Sequence, residues 1–382
     1  MPRRDERGIG GPVARPPLHW DAIGSFLPPL LGTLDRLEWV QRHLYPPLAP
    51  QLVEELAPRA DLVAAPLHAI ETAEWPDDLK FMRERLVDVG RRTLELIAAF
   101  VEASQPRHDP IELYRALRRF APLQEALYPL APIFEPVSRW FLEPSRRDDH
   151  ELVARLRAGA LRDDDPKVGV RHGANERDTR GGFSLYVPET WDGQAAMPLI
   201  VALHGGSGHG RDFLWTWLRE ARAREMLVLS PTARGRTWSL MGGEDIDAPA
   251  LSEMVALVSG QYPVDRERIL LTGMSDGATY TYLRGLQEDT TFTHLAPACG
   301  ILHPILLAHG LVHARDRRIY LVHGELDWMF PVQSARMSRD ALVAAGAHVV
   351  YRELSDLSHT YPRDENPKIL DWLTDDATRS RE

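Results

Sequence analysis

A serine lies at the centre of the stretch Gly273–Gly277 (sequence GMSDG), where its type and spacing suit a nucleophile. The β-prone run Arg268–Thr272 leads into this stretch, and the helix-compatible run Ala278–Leu286 follows it. This order predicts a strand, a sharp turn and a helix, with Ser275 at the apex of the turn. Side chains at either flanking glycine would collide across such a turn, and the backbone N–H of Asp276 would point into the space above the serine. The alternative is an ordinary glycine-rich turn with a solvent-facing serine.

A serine hydroxyl needs a base to take its proton, and His359 is the candidate base. A carboxylate would fix the tautomer of that imidazole and stabilise its protonated form. Three acids are candidates: Asp327 stands a few residues past a β-rich run, Glu325 stands nearer the end of that run, and Asp356 is three residues before His359. We favour Asp327, because the residues after it can turn the carboxylate back across the sheet, whereas Glu325 would point elsewhere.

A glycine-rich turn, His204–Gly208 (sequence HGGSG), follows another β-rich run. Backbone N–H groups in such a turn can converge on a developing oxyanion without reorganising when the charge appears. A phosphate-cradling loop and a purely structural loop are the alternatives.

These residues are separated by short elements that would position them. After about residue 166, β-rich runs alternate with helix-compatible runs, which is typical of a mostly parallel sheet flanked by helices. The β-rich runs are Gly182–Val187, Pro198–Leu203, Met226–Ser230, Arg268–Thr272, Leu295–Gly300, Arg318–His323 and His348–Leu354, and the helix-compatible runs are Asp212–Ala223, Ala248–Val258, Ala278–Leu286 and Pro331–Ala345. Ligands bind at the carboxyl ends of the strands in such sheets. Ser275, Asp327 and His359 each follow a strand, in the chain order of the α/β-hydrolase fold.

The first part of the chain has helical periodicity interrupted by prolines. In Asp77–Ala103, Met82, Leu86 and Val89 begin one apolar face. The other helical candidates are Leu34–Leu44, Ile111–Phe120 and His150–Arg157. We therefore predict a disordered segment over 1–19, an all-helical domain over 20–162 whose prolines keep each helix short, and an α/β-hydrolase catalytic domain over 163–382.

Composition limits the classes of function. The 382 residues carry a net charge of −10, which argues against a nucleic-acid partner. Cys299 is the only cysteine, so an intramolecular disulfide is excluded. No run of apolar residues is long enough for a membrane span, and the N-terminus lacks the apolar run of a signal peptide. We expect a cytoplasmic protein. No metal site is expected, since the pair His309 and His313 lacks the intervening glutamate of a metalloprotease motif.

Four stretches together resemble the polyhydroxybutyrate-depolymerase-like and feruloyl-esterase-like hydrolases. Tyr262–Gly277 is similar to their elbow, Pro198–Gly206 to the oxyanion loop, Gly324–Pro331 to the acid loop, and Ser358–Pro362 to the histidine loop. The stretches lie within residues 180–375. The resemblance implies a serine esterase that needs no cofactor and acts on a small-molecule ester.

On this resemblance, Ser275, Asp327 and His359 form the triad, and the backbone N–H groups of Gly206 and Asp276 bind the oxyanion. Two further residues are candidates for substrate binding. Trp328 follows the acid and would either line a pocket or pack over the acid loop, and His204 flanks the oxyanion loop and would shape it. Weaker candidates for the lining are Trp215, Trp217 and Trp238.

The chain departs from the family pattern in ways that leave the substrate open. Asp276 and Ala278 stand where Asn and Gly are commoner, and the helical part over 20–162 has no counterpart in the minimal pattern. That part would be a cap beside the strand ends or a module for homo-oligomerisation. A serine peptidase of the oligopeptidase type and a non-catalytic binding protein are the alternative functions.

Overall fold

The computed structural model describes residues 18–160 and 167–375. Residues 1–17 of the segment predicted to be disordered lie outside the described residues. The last two residues of that segment, 18 and 19, belong to the first helix, which begins at Leu18. Helices alone occupy the described part before the sheet, where short 3-10 turns link several of them. These helices are α1 Leu18–Arg42, α2 Ala49–Leu56, α3 Arg59–Thr72, α4 Lys80–Ala103, α5 Ile111–Leu117, α6 Phe120–Leu127, α7 Glu135–Trp140 and α8 His150–Ala160.

Helix α4 matches its predicted periodicity, with Met82, Leu86 and Val89 buried on one face. The prediction that prolines keep every helix short is wrong for α1, which runs for 25 residues with Pro28 and Pro29 inside it. A proline inside a helix costs about 3 kcal/mol, because it removes a hydrogen bond and crowds the preceding turn. The apolar face of α1 offsets this cost, since its side chains are buried along the whole helix, Phe26 and Leu37 among them.

A mixed sheet of eight strands follows, in the order β1-β2-β4-β3-β5-β6-β7-β8. The strands are β1 Gly169–Gly173, β2 Phe183–Val187, β3 Met197–Leu203, β4 Leu227–Pro231, β5 Val264–Met274, β6 His294–Ala298, β7 Arg318–Gly324 and β8 His348–Leu354. Strand β2 pairs antiparallel with both neighbours, and the pairs from β4 to β8 are parallel. The predicted runs correspond to β2 through β8. Strand β1 was not predicted, because this edge strand (GVRHG) carries only one large apolar residue.

The helices between the strands are α9 Gly210–Phe213, α10 Leu218–Arg224, α11 Asp247–Gln261, α12 Asp276–Gly285, α13 Pro304–Ala308, α14 Val332–Ala344 and α15 Asn366–Thr374. The run predicted as one helix over Asp212–Ala223 is divided by a 3-10 turn at Leu214–Thr216. The connection from β5 to α12 passes through Ser275 alone, so the sharp turn predicted there is present.

Alternate strand residues face two different cores, as the two-residue period of a strand requires. In β3, Ile200 and Ala202 face the cluster that contains the N-terminal helices, α10 and α15. Leu199 and Val201 face the cluster that contains α11, α12 and α14. The N-terminal helices therefore form part of the layer on one face of the sheet.

A buried ion pair also joins the helical region to the sheet. The Arg222 guanidinium on α10 lies 3.0 Å from the carboxylate of Glu189, which follows β2. The same guanidinium donates to the carbonyl oxygen of Ser138 on α7 at 2.8 Å, and the Tyr128 hydroxyl donates to Glu189 at 2.5 Å. Removing one partner of such a network would leave a buried charge without compensation, so the helices and the sheet depend on each other.

Candidate active site

The backbone at Ser275 adopts a conformation that side chains rarely take, with φ 56° and ψ −118°. The glycines on either side leave the space that this turn needs, because a side chain at either position would clash. A Cβ on Gly273 would lie 2.5 Å from the carbonyl carbon of Gly277, and a Cβ on Gly277 would lie 2.4 Å from the carbonyl oxygen of Leu203. The steric requirement predicted for both glycines is thus confirmed, although the second one comes from β3 rather than from across the turn. A strained serine at a strand-to-helix turn is typical of a nucleophile elbow.

Three side chains from separate loops meet at this turn. His359 Nε2 lies 3.0 Å from Ser275 Oγ, and His359 Nδ1 lies 2.9 Å from Asp327 Oδ2. A carboxylate oxygen can only accept, so Nδ1 carries the proton and Nε2 of the neutral ring is free to accept one from the serine. Each of the three residues is less than 10% exposed. The structure brings together the three residues that the sequence suggested.

The orientation of Asp327 is fixed by its own loop. Its Oδ1 accepts hydrogen bonds from the backbone N–H groups of Met329 at 2.9 Å and Phe330 at 2.8 Å. Its other oxygen is left for His359, and the side chain is fully enclosed. The His323 ring donates to the carbonyl oxygen of Phe330 and lies 3.5 Å from the carboxylate, so it supports the same loop.

The two other candidate acids lie elsewhere. Glu325 is exposed. Asp356 bonds Arg42 at 3.0 Å and lies 3.6 Å from the His43 ring, both at the end of α1. Neither carboxylate is hydrogen bonded to His359, whose Nδ1 is bonded to Asp327.

The glycine-rich turn lies against the nucleophile, since a Cβ on Gly205 would be 3.5 Å from the Cβ of Ser275. The carbonyl oxygen of Gly205 accepts from Gly208 N at 2.9 Å and from the His204 ring at 2.7 Å. In a trans peptide the C=O and the following N–H point in opposite directions. Because the Gly205 C=O points toward Gly208 N and the His204 ring, the N–H of Gly206 points away from both. Among the described residues, this N–H and that of Asp276 donate to no other group.

The placement of His204 favours a structural role over contact with substrate. The ring is 2% exposed, and its Nε2 accepts from the backbone N–H of Ala233 at 3.1 Å while Nδ1 donates to Gly205. Burial lowers the pKa of His204 to about 3, so the ring stays neutral with one tautomer. Trp238 packs beside it and donates to the carbonyl oxygen of His204 at 2.8 Å.

Helix α5 reaches the acid loop, a contact that sequence reasoning missed. The indole N–H of Trp328 donates to the hydroxyl of Tyr114 at 3.0 Å, and the two rings are 6.3 Å apart. Trp328 remains 47% exposed although it follows the buried Asp327. The indole therefore lies at the surface beside the triad, where helix α5 fixes its orientation. Nothing in the local sequence around Tyr114 indicates this partner.

Two arginines of the helical region contact the other site loops. Arg118, directly after α5, donates to the carbonyl oxygens of Gly206 at 3.2 Å and Ser207 at 3.1 Å. Arg42, at the end of α1, bonds Asp356 and Asp364, and these two residues stand on either side of His359 in the chain. The helical region thus touches the oxyanion, acid and histidine loops.

The suggestion that Trp215 and Trp217 line the site is wrong. Both rings are enclosed in the core between the helical region and the sheet, where Trp215 packs against Tyr128 and Phe141. The position of these two tryptophans near the start of a helix does not indicate on which side of the sheet they lie.

Two cavities of about 350 and 380 Å³ lie apart from the triad. The first is between α7 and α8 and is lined by Arg139 and His150, and the second is lined by Glu125, His172 and Arg177. In the ranges 18–160 and 167–375, no group of three His, Cys, Asp or Glu side chains could hold a metal ion. No helix in those ranges is long and apolar enough to cross a membrane.

No family model and no curated protein matches the chain. Solved structures do match part of it. A thermostable esterase is 23% identical with a TM-score of 0.43, covering 50% of this chain and 58% of that one. Esterase PE8 is 19% identical with a TM-score of 0.41, over 54% of this chain and 98% of that one. The acylaminoacyl peptidase of Pyrococcus horikoshii is 17% identical with a TM-score of 0.42, over 53% and 40%.

The chain spans just over half the length of the thermostable esterase that it matches. The strand topology of this chain identifies its fold. Strands β3 to β8 are parallel, the order β4-β3-β5 places a crossover beside the nucleophile, and the strained serine lies between β5 and α12. The polypeptide therefore has an α/β-hydrolase fold, preceded by a region of helices.

Proposed function

We propose that the protein is a serine hydrolase that cleaves carboxylic esters through an acyl-enzyme on Ser275. The observation that carries the proposal is the continuous hydrogen-bonded chain from Ser275 through His359 to Asp327, with links of 3.0 and 2.9 Å. A serine, a base and an orienting carboxylate in this order form the constellation that activates a hydroxyl.

In the first half of the reaction, His359 Nε2 takes the proton of Ser275 as Oγ attacks the ester carbonyl carbon. The carbonyl oxygen becomes an oxyanion, which accepts from the N–H groups of Gly206 and Asp276. His359 then gives its proton to the departing alcohol. In the second half, the imidazole takes a proton from water, and the resulting attack releases the acid and restores Ser275.

Kinetics on a panel of esters test this proposal. We expect Ser275→Ala to lower kcat by several orders of magnitude, because triad members act as a unit. Ser252, which is exposed on α11, provides the matched control, and Ser252→Ala should leave the rates unchanged. The panel should vary the acyl and alcohol groups and include peptide amides, since a faster amide reaction would favour a peptidase. Near-normal ester hydrolysis by Ser275→Ala would refute the proposed mechanism.

We further infer that the helices over 18–160 act as a cap that completes the catalytic site. Support comes from Arg42, Tyr114 and Arg118, each of which bonds a different site loop. A chain that begins near residue 164 would expose a core that these helices share with the sheet, so point substitutions test the cap better than truncation. Tyr114→Phe, which removes the hydroxyl that bonds Trp328 and lies beside Ser358, should shift the preference for acyl length while the oligomeric state stays the same. If the helices serve homo-oligomerisation instead, Tyr114→Phe should leave the preference for acyl length unchanged.

A further inference from the structure

Three arginines from separate segments converge on the oxyanion loop. Arg118, after α5, binds the carbonyl oxygens of Gly206 and Ser207. Arg180, before β2, donates to the carbonyl oxygen of Gly208 at 2.7 Å. The Nε of Arg236, after β4, donates to the hydroxyl of Ser207 at 3.0 Å. Three guanidinium groups therefore bond three consecutive residues of the turn.

Every direct partner of these guanidinium groups is neutral. Besides the loop, Arg180 bonds only the carbonyl oxygens of Gly235 and Arg236. In the described part of the chain, none of the three has a carboxylate oxygen within 4.0 Å. Burial lowers the pKa of Arg118 and of Arg180, although the carboxylates of Asp212 and Asp247, respectively, act in the opposite direction.

The neighbouring acids leave this positive charge in excess. The Asp276 carboxylate accepts from Thr237 at 2.6 Å and lies against Gly206, so it contributes one negative charge at the loop. Asp212 and Glu125 pair with Arg177 and Arg211, so that group is balanced within itself. Asp247, which acts on Arg180 and accepts from the backbone N–H of Arg234 at 2.8 Å, contributes a second negative charge. Three cations against two anions therefore remain near the oxyanion loop, in a protein with a net charge of −10. All three arginines are exposed, so solvent screens their mutual repulsion and an anionic group can reach them.

The position of the arginines relates them to substrate. In the proposed mechanism the N–H of Gly206 binds the carbonyl oxygen of the ester, and the C=O of the same residue accepts from Arg118, so this guanidinium lies close to the proposed reacting centre. Arg236 uses one of its five N–H donors on Ser207, and its terminal NH₂ groups bond no other described residue. A guanidinium with free donors binds a carboxylate or phosphate in two-point geometry.

We propose that the natural substrate is an ester that carries an anionic group, which Arg118 and Arg236 bind at the edge of the oxyanion loop. This inference rests on the proposed esterase function and adds the class of substrate. Arg118 and Arg236 do not react. They would select the substrate and hold it with its ester carbonyl over Ser275.

Matched pairs of esters test the inference. On the acyl side, monoethyl succinate is compared with ethyl 4-methylpentanoate, which has an isopropyl group in place of the carboxylate. On the alcohol side, 4-acetoxybenzoate is compared with 4-isopropylphenyl acetate. We define the selectivity as kcat/KM of the anionic ester divided by that of its neutral partner. Comparison of variant with wild type cancels the intrinsic reactivity of each ester.

We expect Arg118→Met and Arg236→Met each to lower the selectivity about tenfold on at least one side, the loss expected for one charge-assisted hydrogen bond. Arg236→Lys should retain part of it. Arg83 on α4 is the matched control, because it also bonds a backbone carbonyl, that of Glu71. Arg83→Met should leave the selectivity unchanged. Salt should slow hydrolysis of the anionic esters and spare the neutral ones.

Unchanged selectivity in both methionine variants for both pairs would overturn the inference. So would an equal salt dependence of the anionic and neutral esters. Ser275-dependent hydrolysis of the neutral esters in that case would leave the proposed function standing. If neither kind of ester is hydrolysed in a Ser275-dependent way, the proposed function itself fails.

Discussion

At the scale of single residues, Ser275 is both the candidate nucleophile and a residue with a strained backbone conformation. The positive φ of this serine is stabilised by contacts on both sides, including a hydrogen bond from its N–H to the carbonyl oxygen of Ala298 at 3.0 Å. The imidazole opposite is held by a carboxylate whose second oxygen is already bonded to its own loop. Each group is therefore oriented before substrate arrives, which is how positioned side chains lower a barrier.

The choice of acid gives a prediction at this scale. Asp327→Asn replaces an acceptor by an amide that can donate to His359 Nδ1, so the ring would adopt the wrong tautomer. We expect kcat to fall on the order of ten-thousandfold with the fold intact. Steady-state kinetics measure the loss, and circular dichroism checks the fold. Glu325→Gln, which changes an exposed acid of the same loop, is the control, and a larger loss there would contradict the assignment.

At the scale of elements, α1 and the histidine loop form one unit. Arg42 Nε donates to Asp364 at 2.6 Å, its NH2 donates to Asp356 at 3.0 Å, and its carbonyl oxygen accepts from Thr360 at 3.1 Å. Its side chain is 10% exposed, while both acids are more than half exposed. Arg42, at the end of α1, thus binds the histidine loop on both sides of His359.

Loss of the Arg42 contacts should affect the chemical step. We expect Arg42→Met to lower kcat by ten- to a hundredfold with little change in KM, since a small displacement of a catalytic base is costly. Arg36→Met is the control, because Arg36 lies on the same helix and pairs with the distant Glu55. Thermal melting of both variants separates misplacement from unfolding. An equal kcat in Arg42→Met and wild type would show that α1 does not position the base.

The elements also show what the sequence could reveal. Runs such as Pro198–Leu203 and Arg318–His323 appear as β3 and β7 within a residue or two, because buried parallel strands are continuous apolar runs. The turn at Ser275 was predictable because close packing permits only glycine at its flanks. The contacts of Arg42 and Tyr114 were not predictable, since each partner is more than two hundred residues away in the chain and a single polar contact leaves no periodic signal.

At the scale of the whole molecule, charges buried between layers link the helices to the sheet. Glu38 on α1 pairs with Arg219 on α10 and with Arg363, which follows the histidine loop. Glu220 lies beside this group and accepts from Asn366 at 3.4 Å. Burial raises the pKa of Glu220 to about 7, although the nearby Arg363 acts in the opposite direction.

This carboxyl group should make stability depend on pH. A folded-state pKa of about 7, above the ordinary 4.5, means that the protonated group contributes fully below pH 4.5 and that this contribution is lost as pH rises through 7. The shift corresponds to about 3 kcal/mol between these limits. In urea unfolding at pH 5.5 and 8.5, we expect the free energy of unfolding of Glu220→Gln to depend less on pH than that of wild type. Glu253→Gln, on the exposed face of α11, should behave as wild type. The same pH dependence in all three proteins would contradict the prediction.

Modification by a fluorophosphonate followed by peptide mapping identifies the nucleophile, because an activated serine attacks the phosphorus of this reagent and displaces fluoride. We expect one phosphonyl group per chain, located on Ser275 alone, with ester hydrolysis lost in proportion to labelling. His359→Ala should slow the labelling strongly, since the hydroxyl then lacks its base. Absence of modification in an active protein, or modification of a serine other than Ser275, would show that Ser275 is not the nucleophile.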